Sequence, residues 1–401
     1  MTGVGASQHH PATLLAAIGR PVPVITPATT VNQTIELFQH DNSLLALPVV
    51  AEQQLVGIIS RRELFYRHLG KPFARELYGR RSVETLLDSA PLVLNGELDI
   101  SAALSRLLLH DPRLESDCFG VELSSGSPGI VAVADLMMAI SRSQADLLEA
   151  LDSLSRRIRN EVEMARQVQA DLLPQTPLQH AGVSVAAGLV NSTEISGDFY
   201  DVFILDEHRL GLLVADVTGH GVQAGLVTTA AKAGLQTLLD NGVQAPSKIL
   251  NGINRAILAT ARGNLLMTAV VVVIDRQTAT AVASSAGHPY PFHWKAAASE
   301  WHSLTLDSGF PLGFDDSADY GETIIEFVRG DRLLLFSDGI QEAEGPHGEL
   351  FGERYLEETL KQERTDDPSM LLDSLLEAAR SFQGHDYFDD DVTLVVAVQE
   401  A

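Results

Sequence analysis

Four aspartates in the C-terminal half could carry chemistry, because each lies at the end of an apolar run typical of a β-strand. They are Asp198 in SGDFYDVF, Asp216 in LLVADVTGHG, Asp338 in LLLFSDGIQEA and Asp390 in FDDDVTLVVAV. Burying such a carboxylate costs free energy unless a cation meets it, and several together would repel one another. Divalent cations relieve that repulsion. Oxygen ligands without a Cys or His cluster favour Mn²⁺ or Mg²⁺ over zinc.

Glycines beside these aspartates support the same interpretation. Gly197 and Gly339 each adjoin one of the four, and Gly219 and Gly221 bracket His220 in a loop that leads into a predicted helix. Backbone without a Cβ can approach an ion or an anion closely. A single Asp-Gly pair is common in ordinary turns, so the argument depends on four such strand ends occurring in one region.

The motifs SGDFYD, DVTGHG, SSAGHPYP, GFPLG, LLLFSDGIQEA and DDDVTLV occur in this order within residues 180–400. Together they resemble the SpoIIE-like branch of the metal-dependent PPM (protein phosphatase 2C type) serine/threonine phosphatases. The resemblance extends into EVEMARQVQADLLP, which is similar to the helix that precedes many such domains. Two features depart from the family. Ser196 stands where a second glycine is usual, and an arginine that grips phosphate in the animal enzymes has no counterpart.

The resemblance implies that two Mn²⁺ or Mg²⁺ ions are held by the catalytic aspartates Asp198, Asp216, Asp338 and Asp390. The Val217 carbonyl and Asp391 are assigned to the same metal shell. The triple aspartate leaves open which of residues 389 to 391 is the ligand. A metal-activated water would then hydrolyse phosphoserine or phosphothreonine, so that no serine or cysteine nucleophile is needed.

The general acid and the substrate are less defined. His220 and His288 are candidate acids, although a histidine between small residues is often only bonded to backbone. By resemblance the substrate is a phosphorylated regulatory protein of the anti-sigma-factor antagonist type. Two alternatives stay open: a catalytically weak scaffold that binds partners, and a phosphatase acting on small molecules.

The elements that must position the aspartates alternate many strands with a few paired helices across residues 180–400. Strand hairpins outnumber helices, which predicts an α+β fold: an antiparallel β-sandwich flanked by helices rather than a doubly wound parallel sheet. With 401 residues, the chain is expected to form two or three domains.

Residues 14–140 predict an α/β sensory domain with an internal duplication. Thr26-Pro27, the strand Leu47–Val50 and the strand Val56–Ser60 resemble a CBS domain, a family that occurs in pairs and often binds adenine nucleotides. The second repeat is divergent. The family's nucleotide signature is split, with Ser60 and Glu63 in the first copy and Asp135 in the second, where Ala132 replaces the hydroxyl residue. A dimerisation or docking platform without a ligand is the alternative.

Residues 141–173 predict a helical linker that contains neither Gly nor Pro. Leucines, Ile158, Ala165 and Val168 recur in steps of three and four, the spacing of a coiled-coil seam that Glu161 interrupts. This pattern favours a homodimer formed through the linker and the CBS pair. A single amphipathic helix packed on its own domain is the alternative.

Charge and composition exclude several other classes. The formal net charge of −25 disfavours binding to nucleic acid or anionic membrane. Cys118 is the single cysteine, which excludes an internal disulfide and a multi-cysteine zinc site. Without a long apolar run or a signal-like start, the expected location is cytoplasmic.

Overall fold

A computed structural model describes residues 13–87, 90–123, 126–261 and 265–400. The chain divides into two units, Met1–Ser155 and Arg156–Ala401, and each is described by itself. In the part of the chain that the structure describes, no helix has both the length and the apolar character needed to cross a bilayer.

The N-terminal unit alternates short helices and strands. Its strands are β1 (Arg20–Pro21), β2 (Ala46–Ala51), β3 (Gln54–Ser60), β4 (Val93–Asn95), β5 (Cys118–Glu122) and β6 (Pro128–Ala132). Its helices are α1 (Val31–His40), α2 (Ala74–Tyr78), α3 (Ile100–His110) and the first part of α4 (Val133–Leu172). One sheet has the order β1-β6-β5-β4, and β2 and β3 form a separate hairpin. The order helix, strand, strand occurs twice, in α1-β2-β3 and in α3-β5-β6.

Local sequence explains why these helices begin where they do. Thr30 and Gln33 form a capping box at the start of α1, and the Asp99 side chain accepts a hydrogen bond from the Ser101 amide at the start of α3. Val31, Ile35 and Phe38 then recur at helical spacing and are buried in the first repeat's core.

Helix α4 runs without interruption from Val133 to Leu172. The predicted boundary at residue 141 therefore falls inside a helix, because no Gly or Pro lies between Ala132 and Pro174 to end it. Its predicted seam is largely uncovered in this single chain. Each of the following is more than half exposed: Leu147, Leu151, Leu154, Ile158 and Val168.

The C-terminal unit contains two antiparallel sheets and four further helices. The strands are β7 (Leu178–His180), β8 (Val183–Val190), β9 (Asp198–Ile204), β10 (Arg209–Val217), β11 (Met267–Asp275), β12 (Thr280–Ala286), β13 (Phe292–Lys295), β14 (Glu300–Ser303), β15 (Ser308–Gly309), β16 (Thr323–Glu326), β17 (Arg332–Phe336) and β18 (Val392–Gln399). The helices are α5 (Val222–Asp240), α6 (Pro246–Ala261), α7 (Gly352–Gln362) and α8 (Pro368–Gln383).

The first sheet has the order β15-β12-β11-β10-β9, with β16 also paired to β12, and the second has the order β14-β13-β17-β18-β8-β7. Only the short β12–β15 pair is parallel among the pairings of these described strands. Alternate residues of each strand point to opposite faces, so one face of each sheet contributes to a shared apolar layer. The other faces are covered by α5 and α6 on the first sheet and by α7 and α8 on the second. This four-layer arrangement confirms the predicted α+β sandwich.

Candidate metal centre

Asp198 and Asp216 lie directly opposite each other on the neighbouring strands β9 and β10. Both continue the rows of side chains that point between the two sheets, as Tyr200 and Val214 do. Burial, followed by the nearby charge of Asp216, raises the pKa of Asp198 well above its usual range. The pKa of Asp216 rises to about 7, chiefly through burial and then through repulsion from Asp338 and Asp390.

The second sheet contributes Asp338 and Asp390 at the same end of the sandwich. Asp338 opens the short 3-10 turn after β17, and Asp390 lies just before β18, which pairs with β17. Burial raises the pKa of Asp338, and the charge of Asp390 raises it further. The structure thus places the four aspartates that the sequence predicted as catalytic at one end of the two sheets, close enough for their charges to interact. Glu342, four residues after Asp338, also has a pKa raised by burial and by these charges, and the sequence analysis missed it.

Two hydroxyl groups of the second sheet fix the orientation of Asp198. Ser337 Oγ and Thr393 Oγ1 each donate to Asp198 Oδ2 at 2.6 Å. Both are fully buried, and Ser337 Oγ in turn accepts the Thr393 amide at 2.9 Å. These contacts engage Oδ2 of Asp198, and the charge of Asp216 acts on the same carboxyl group. Neither Ser337 nor Thr393 was singled out from the sequence, although Ser337 directly precedes Asp338 and Thr393 follows Asp391 by two residues.

Asp391 holds the loop that precedes Asp198. Its Oδ1 accepts the Ser192 amide at 2.7 Å and the Ser192 hydroxyl at 2.9 Å. Its Oδ2 accepts the Ser196 hydroxyl at 2.7 Å and the Gly197 amide at 2.8 Å. Both oxygens are therefore engaged with protein donors, which favours a loop-anchoring role for Asp391.

The three consecutive aspartates occupy different surroundings. Asp391 is buried, whereas Asp389 and Asp390 are exposed. Of the two exposed residues, Asp390 is the one whose charge acts on Asp216 and Asp338. This geometry favours Asp390 as the ligand candidate of the run.

Two glycines allow backbone to pass close to the aspartates. A Cβ on Gly197 would lie 2.7 Å from the Gly219 carbonyl oxygen and 3.1 Å from that of Val217. The carbonyl of Val217, predicted as a metal ligand, therefore lies next to the residue preceding Asp198. A Cβ on Gly339 would overlap the Asp391 carbonyl oxygen.

The two candidate acids lie in different environments. His220 is exposed in the loop between β10 and α5. His288 is buried, its Nδ1 lies 2.8 Å from Thr268 Oγ1, and burial lowers its pKa to about 3. Because Thr268 is opposite Asp216 in the sheet, the geometry favours His288 as a neutral support for that strand rather than as a proton donor.

The carboxylate oxygens of the four aspartates are suitable ligands for hard divalent cations, although they are not already arranged around one ion. Among the described residues, no three His, Cys, Asp or Glu side chains are gathered closely enough to ligate one ion. Nor, within the same residues, does any of the four aspartates form an ion pair with Lys or Arg. Raised pKa values and unpaired carboxylates indicate uncompensated negative charge, and oxygen donors suit Mn²⁺ or Mg²⁺.

Helix α4 contacts this region through Gln169. Its side-chain oxygen accepts the Ser196 amide at 3.1 Å, and its Nε2 donates to the Ser196 carbonyl at 2.8 Å and to Thr228 Oγ1 on α5 at 3.2 Å. Helix α4 therefore binds, through Gln169, the same loop that Asp391 holds. Gln169 could not be identified from the sequence, because a single glutamine on a helix carries no signal for its tertiary partner.

A second aspartate of the SGDFYD motif, unlike Asp198, forms an ion pair. Asp201 is buried, and Lys232 Nζ on α5 donates to its Oδ2 at 2.5 Å. Burial raises the pKa of Asp201, and the charge of Lys232 opposes that rise. This ion pair fastens the helix layer to β9.

Of the three residues predicted for the nucleotide site, the N-terminal unit brings two to one cavity. A cavity of about 750 Å³ is lined by Ser60 and Glu63, together with Asp117. Ser60 Oγ donates to Asp117 Oδ2 at 3.0 Å. Asp135 does not line this cavity and instead accepts Arg20 at 2.7 Å. The carboxylate next to Ser60 is therefore Asp117, which the split signature did not reveal.

Comparisons with known proteins agree with these two parts of the chain. Residues 206–399 match the family model described as Stage II sporulation protein E (SpoIIE), and residues 16–70 match that of the CBS domain. Phosphoserine phosphatase RsbU of Bacillus subtilis (strain 168) is 28% identical over 251 residues, which are 62% of this chain and 72% of RsbU. Phosphoserine phosphatase RsbP of the same organism is 28% identical over 188 residues, which are 46% of each protein.

A solved structure shows the same fold. The SiaA-PP2C domain of Pseudomonas aeruginosa superposes with a TM-score of 0.54 at 21% identity, over 61% of this chain and 97% of that domain. The C-terminal unit thus has the PP2C fold. The chain carries a SpoIIE-type domain and, ahead of it, an N-terminal CBS domain.

Proposed function

We propose that this chain is a Mn²⁺- or Mg²⁺-dependent protein serine/threonine phosphatase. The observation that carries the proposal is that four carboxylates from two sheets act on one another's charge at one end of the sandwich, without a Lys or Arg ion pair among the described residues. When bound there, a pair of divalent ions would supply an acidified water and stabilise charge on the phosphoryl oxygens. The phosphoserine phosphatases named among the relatives support the same class of reaction.

The residues of the chain divide into ligands and supports. Asp198, Asp216, Asp338 and Asp390 would hold the ions. Ser337 and Thr393 donate to one oxygen of Asp198 and so hold the orientation of its carboxylate. Asp391 holds the loop that carries Asp198. These supports reduce the reorganisation needed when a cation gathers the ligands.

The substrate that we propose is phosphoserine or phosphothreonine on a small regulatory protein of the anti-sigma-factor antagonist type. The resemblance of the six motifs supports this class. The four aspartates lie at strand ends and in the adjoining turns, and Asp390 among them is exposed, so a site there would admit a side chain displayed on a protein surface.

Phosphate release tests the proposal. The purified chain should release phosphate from a phosphoserine peptide and from p-nitrophenyl phosphate only with Mn²⁺ or Mg²⁺. Asp216→Asn and Asp338→Asn should lower kcat by at least a hundredfold, whereas Asp373→Asn on the exposed face of α8 should not change it. Turnover no higher than that of the two site variants would support the scaffold alternative. Faster hydrolysis of phosphorylated metabolites than of phosphoproteins would support the small-molecule alternative.

We also propose that the CBS region regulates the phosphatase through α4 and that the chain is a homodimer. The exposed apolar seam of α4 and the contacts of Gln169 with the loop before Asp198 support this. Deleting Ala165 rotates the seam by about 100° relative to Gln169. It should change both phosphatase activity and the dimer dissociation measured by sedimentation, whereas Ala165→Ser should change neither. If activity and assembly are unaltered after the deletion, the helix only connects the two units and does not transmit a signal.

For the N-terminal cavity we propose an adenine nucleotide as ligand, with Ser60 and Glu63 lining its site. The full chain should show a higher Tm with ATP, ADP or AMP, and Ser60→Ala should reduce that shift. Cyclic dinucleotides serve as the comparison. A Tm that none of these compounds changes would favour the alternative of a docking platform.

A further inference from the structure

Two phenylalanines, Phe310 within the GFPLG motif and Phe314 directly after it, are exposed side by side. Phe310 and Phe314 are 63% and 56% exposed, and their rings stack with centroids 5.0 Å apart and planes inclined by 19°. The loop that carries them is firmly anchored, because Leu312 between them is fully buried and exchanges two backbone hydrogen bonds with Met267, of 2.7 and 3.0 Å. The rings are therefore held outward by a fixed backbone.

A cleft of about 420 Å³ opens beside these rings. Both phenylalanines line it, and so do the acidic residues Asp315 and Asp319. Hydrogen bonds from Ser317 lower the pKa of Asp315, so this carboxylate stays ionised at neutral pH. In the part of the chain that the structure describes, neither acid is ion-paired with a Lys or Arg. Aromatic faces next to carboxylates are the surroundings that a long cationic side chain prefers.

The cleft lies close to Asp216. Met267, to which Leu312 is bonded, is opposite Val217 in the sheet, and Val217 follows Asp216 directly. Two steps of strand spacing separate Leu312 from Val217, which corresponds to about 10 Å. An extended peptide covers that distance in about three residues.

We propose that this cleft is a specificity subsite that binds a lysine or arginine of the phosphoprotein substrate, about three residues from the phosphorylated side chain. The inference rests on the proposed phosphatase function, since it places the cleft beside the reacting phosphate. The aliphatic stem of the substrate residue lies against Phe310 and Phe314, and its cationic head meets Asp315 and Asp319. Negative charge on both acids excludes acidic side chains and nucleic acid from the same position.

Phosphoserine peptides provide the test. One series carries a single lysine at successive positions from three residues before to four residues after the phosphoserine, and a second series carries norleucine instead. With the full chain and Mn²⁺, one lysine position should raise kcat/KM at least tenfold over its norleucine partner, which corresponds to 1.4 kcal/mol. Equal kcat/KM values at every position would overturn the inference.

Variants then assign the effect to the cleft. Each peptide rate is divided by the same variant's rate on p-nitrophenyl phosphate, which corrects for any loss of folded enzyme. Phe310→Ala and Asp319→Asn should bring the lysine-to-norleucine ratio close to one. Asp319→Lys should instead favour a peptide with glutamate at that position. Ile324→Ala, which removes another exposed apolar side chain, on β16, should keep the wild-type ratio.

The outcomes separate the two proposals. Absence of metal-dependent hydrolysis of p-nitrophenyl phosphate would contradict the phosphatase function itself. The enzyme could instead hydrolyse that ester normally and keep its lysine preference in both Phe310→Ala and Asp319→Lys. The preference would then arise elsewhere on the protein, and the subsite would be refuted.

Discussion

The replacement Asp391→Asn should destabilise the C-terminal unit even without metal, because Asp391 anchors the loop before Asp198. The carboxylate accepts four hydrogen bonds, two from Ser192, one from Ser196 and one from Gly197. An asparagine amide offers one accepting oxygen and one donating nitrogen. The two serine hydroxyls can turn to accept, but the amides of Ser192 and Gly197 lie on opposite oxygens, so one of them must face the NH₂ group.

The cost follows from these contacts. Hydrogen bonds to a charged group contribute about 1.5–3 kcal/mol and neutral ones about 1 kcal/mol, while an orphaned buried N–H costs about 1–3 kcal/mol. One lost bond and three weakened ones give roughly 3 kcal/mol, since such terms are not additive. For a domain of this size each kcal/mol shifts Tm by about 2–4 °C, so Asp391→Asn should lower Tm by roughly 6–12 °C.

Thermal unfolding followed by circular dichroism in EDTA measures this shift, and a Mn²⁺ titration of phosphate release measures the consequence for Asp198. Asp389→Asn, an exposed neighbour, is the matched control and should change the unfolding free energy by about 0.5 kcal/mol or less. The contrary outcome is that Asp391→Asn weakens Mn²⁺ activation but leaves the metal-free Tm within about 2 °C of the wild type. That outcome would show that Asp391 acts as a metal ligand and does not anchor the loop.

Two further substitutions test how the site is supported. Gly339→Ala should lower kcat at least tenfold, because the new Cβ overlaps the Asp391 carbonyl and must displace the turn that begins at Asp338; an unchanged Mn²⁺-dependent rate would contradict that packing. Lys232→Met should cost about 3–5 kcal/mol in chemical unfolding, since it leaves the buried Asp201 without its cation. The double variant with Asp201→Leu should recover most of that loss, and a double variant as unstable as the single one would argue against the ion pair as the cause.

The strongest elements could be predicted from local sequence. The apolar runs VSVAAGLV and MTAVVVVID coincide with β8 and β11. The stretch VQAGLVTTAAKAGLQTLLDNG predicts a helix that ends two residues beyond α5. The stretch PSKILNGINRAILATARG predicts a helix that begins with α6, and its predicted end lies outside the described residues. In contrast, helix α7 and the short strands β13 to β15 were not predicted from the sequence. Strands this short depend on pairing with partners elsewhere in the chain.

The same distinction applies to the linker and to the N-terminal site. A helix continues until a residue stops it, so the local pattern predicted the helix but not the absence of a break at residue 141. The nucleotide signature pointed to Asp135, yet the packing of the β2–β3 hairpin against the other sheet of the N-terminal unit brings Asp117 next to Ser60 instead. A motif defines residue types, whereas the neighbour of each residue depends on how the elements pack.

By itself the sequence determined which carboxylates could form a metal site, because a charged residue closing an apolar strand is a local signal that needs no knowledge of the fold. Only the tertiary structure decided how they are oriented. Ser337 and Ser196 reach their aspartate partners across 139 and 195 residues of chain. Hydrogen bonds over such separations exist only once the two sheets pack, since it is the strand register and the contact between sheets that bring donor and acceptor within bonding distance.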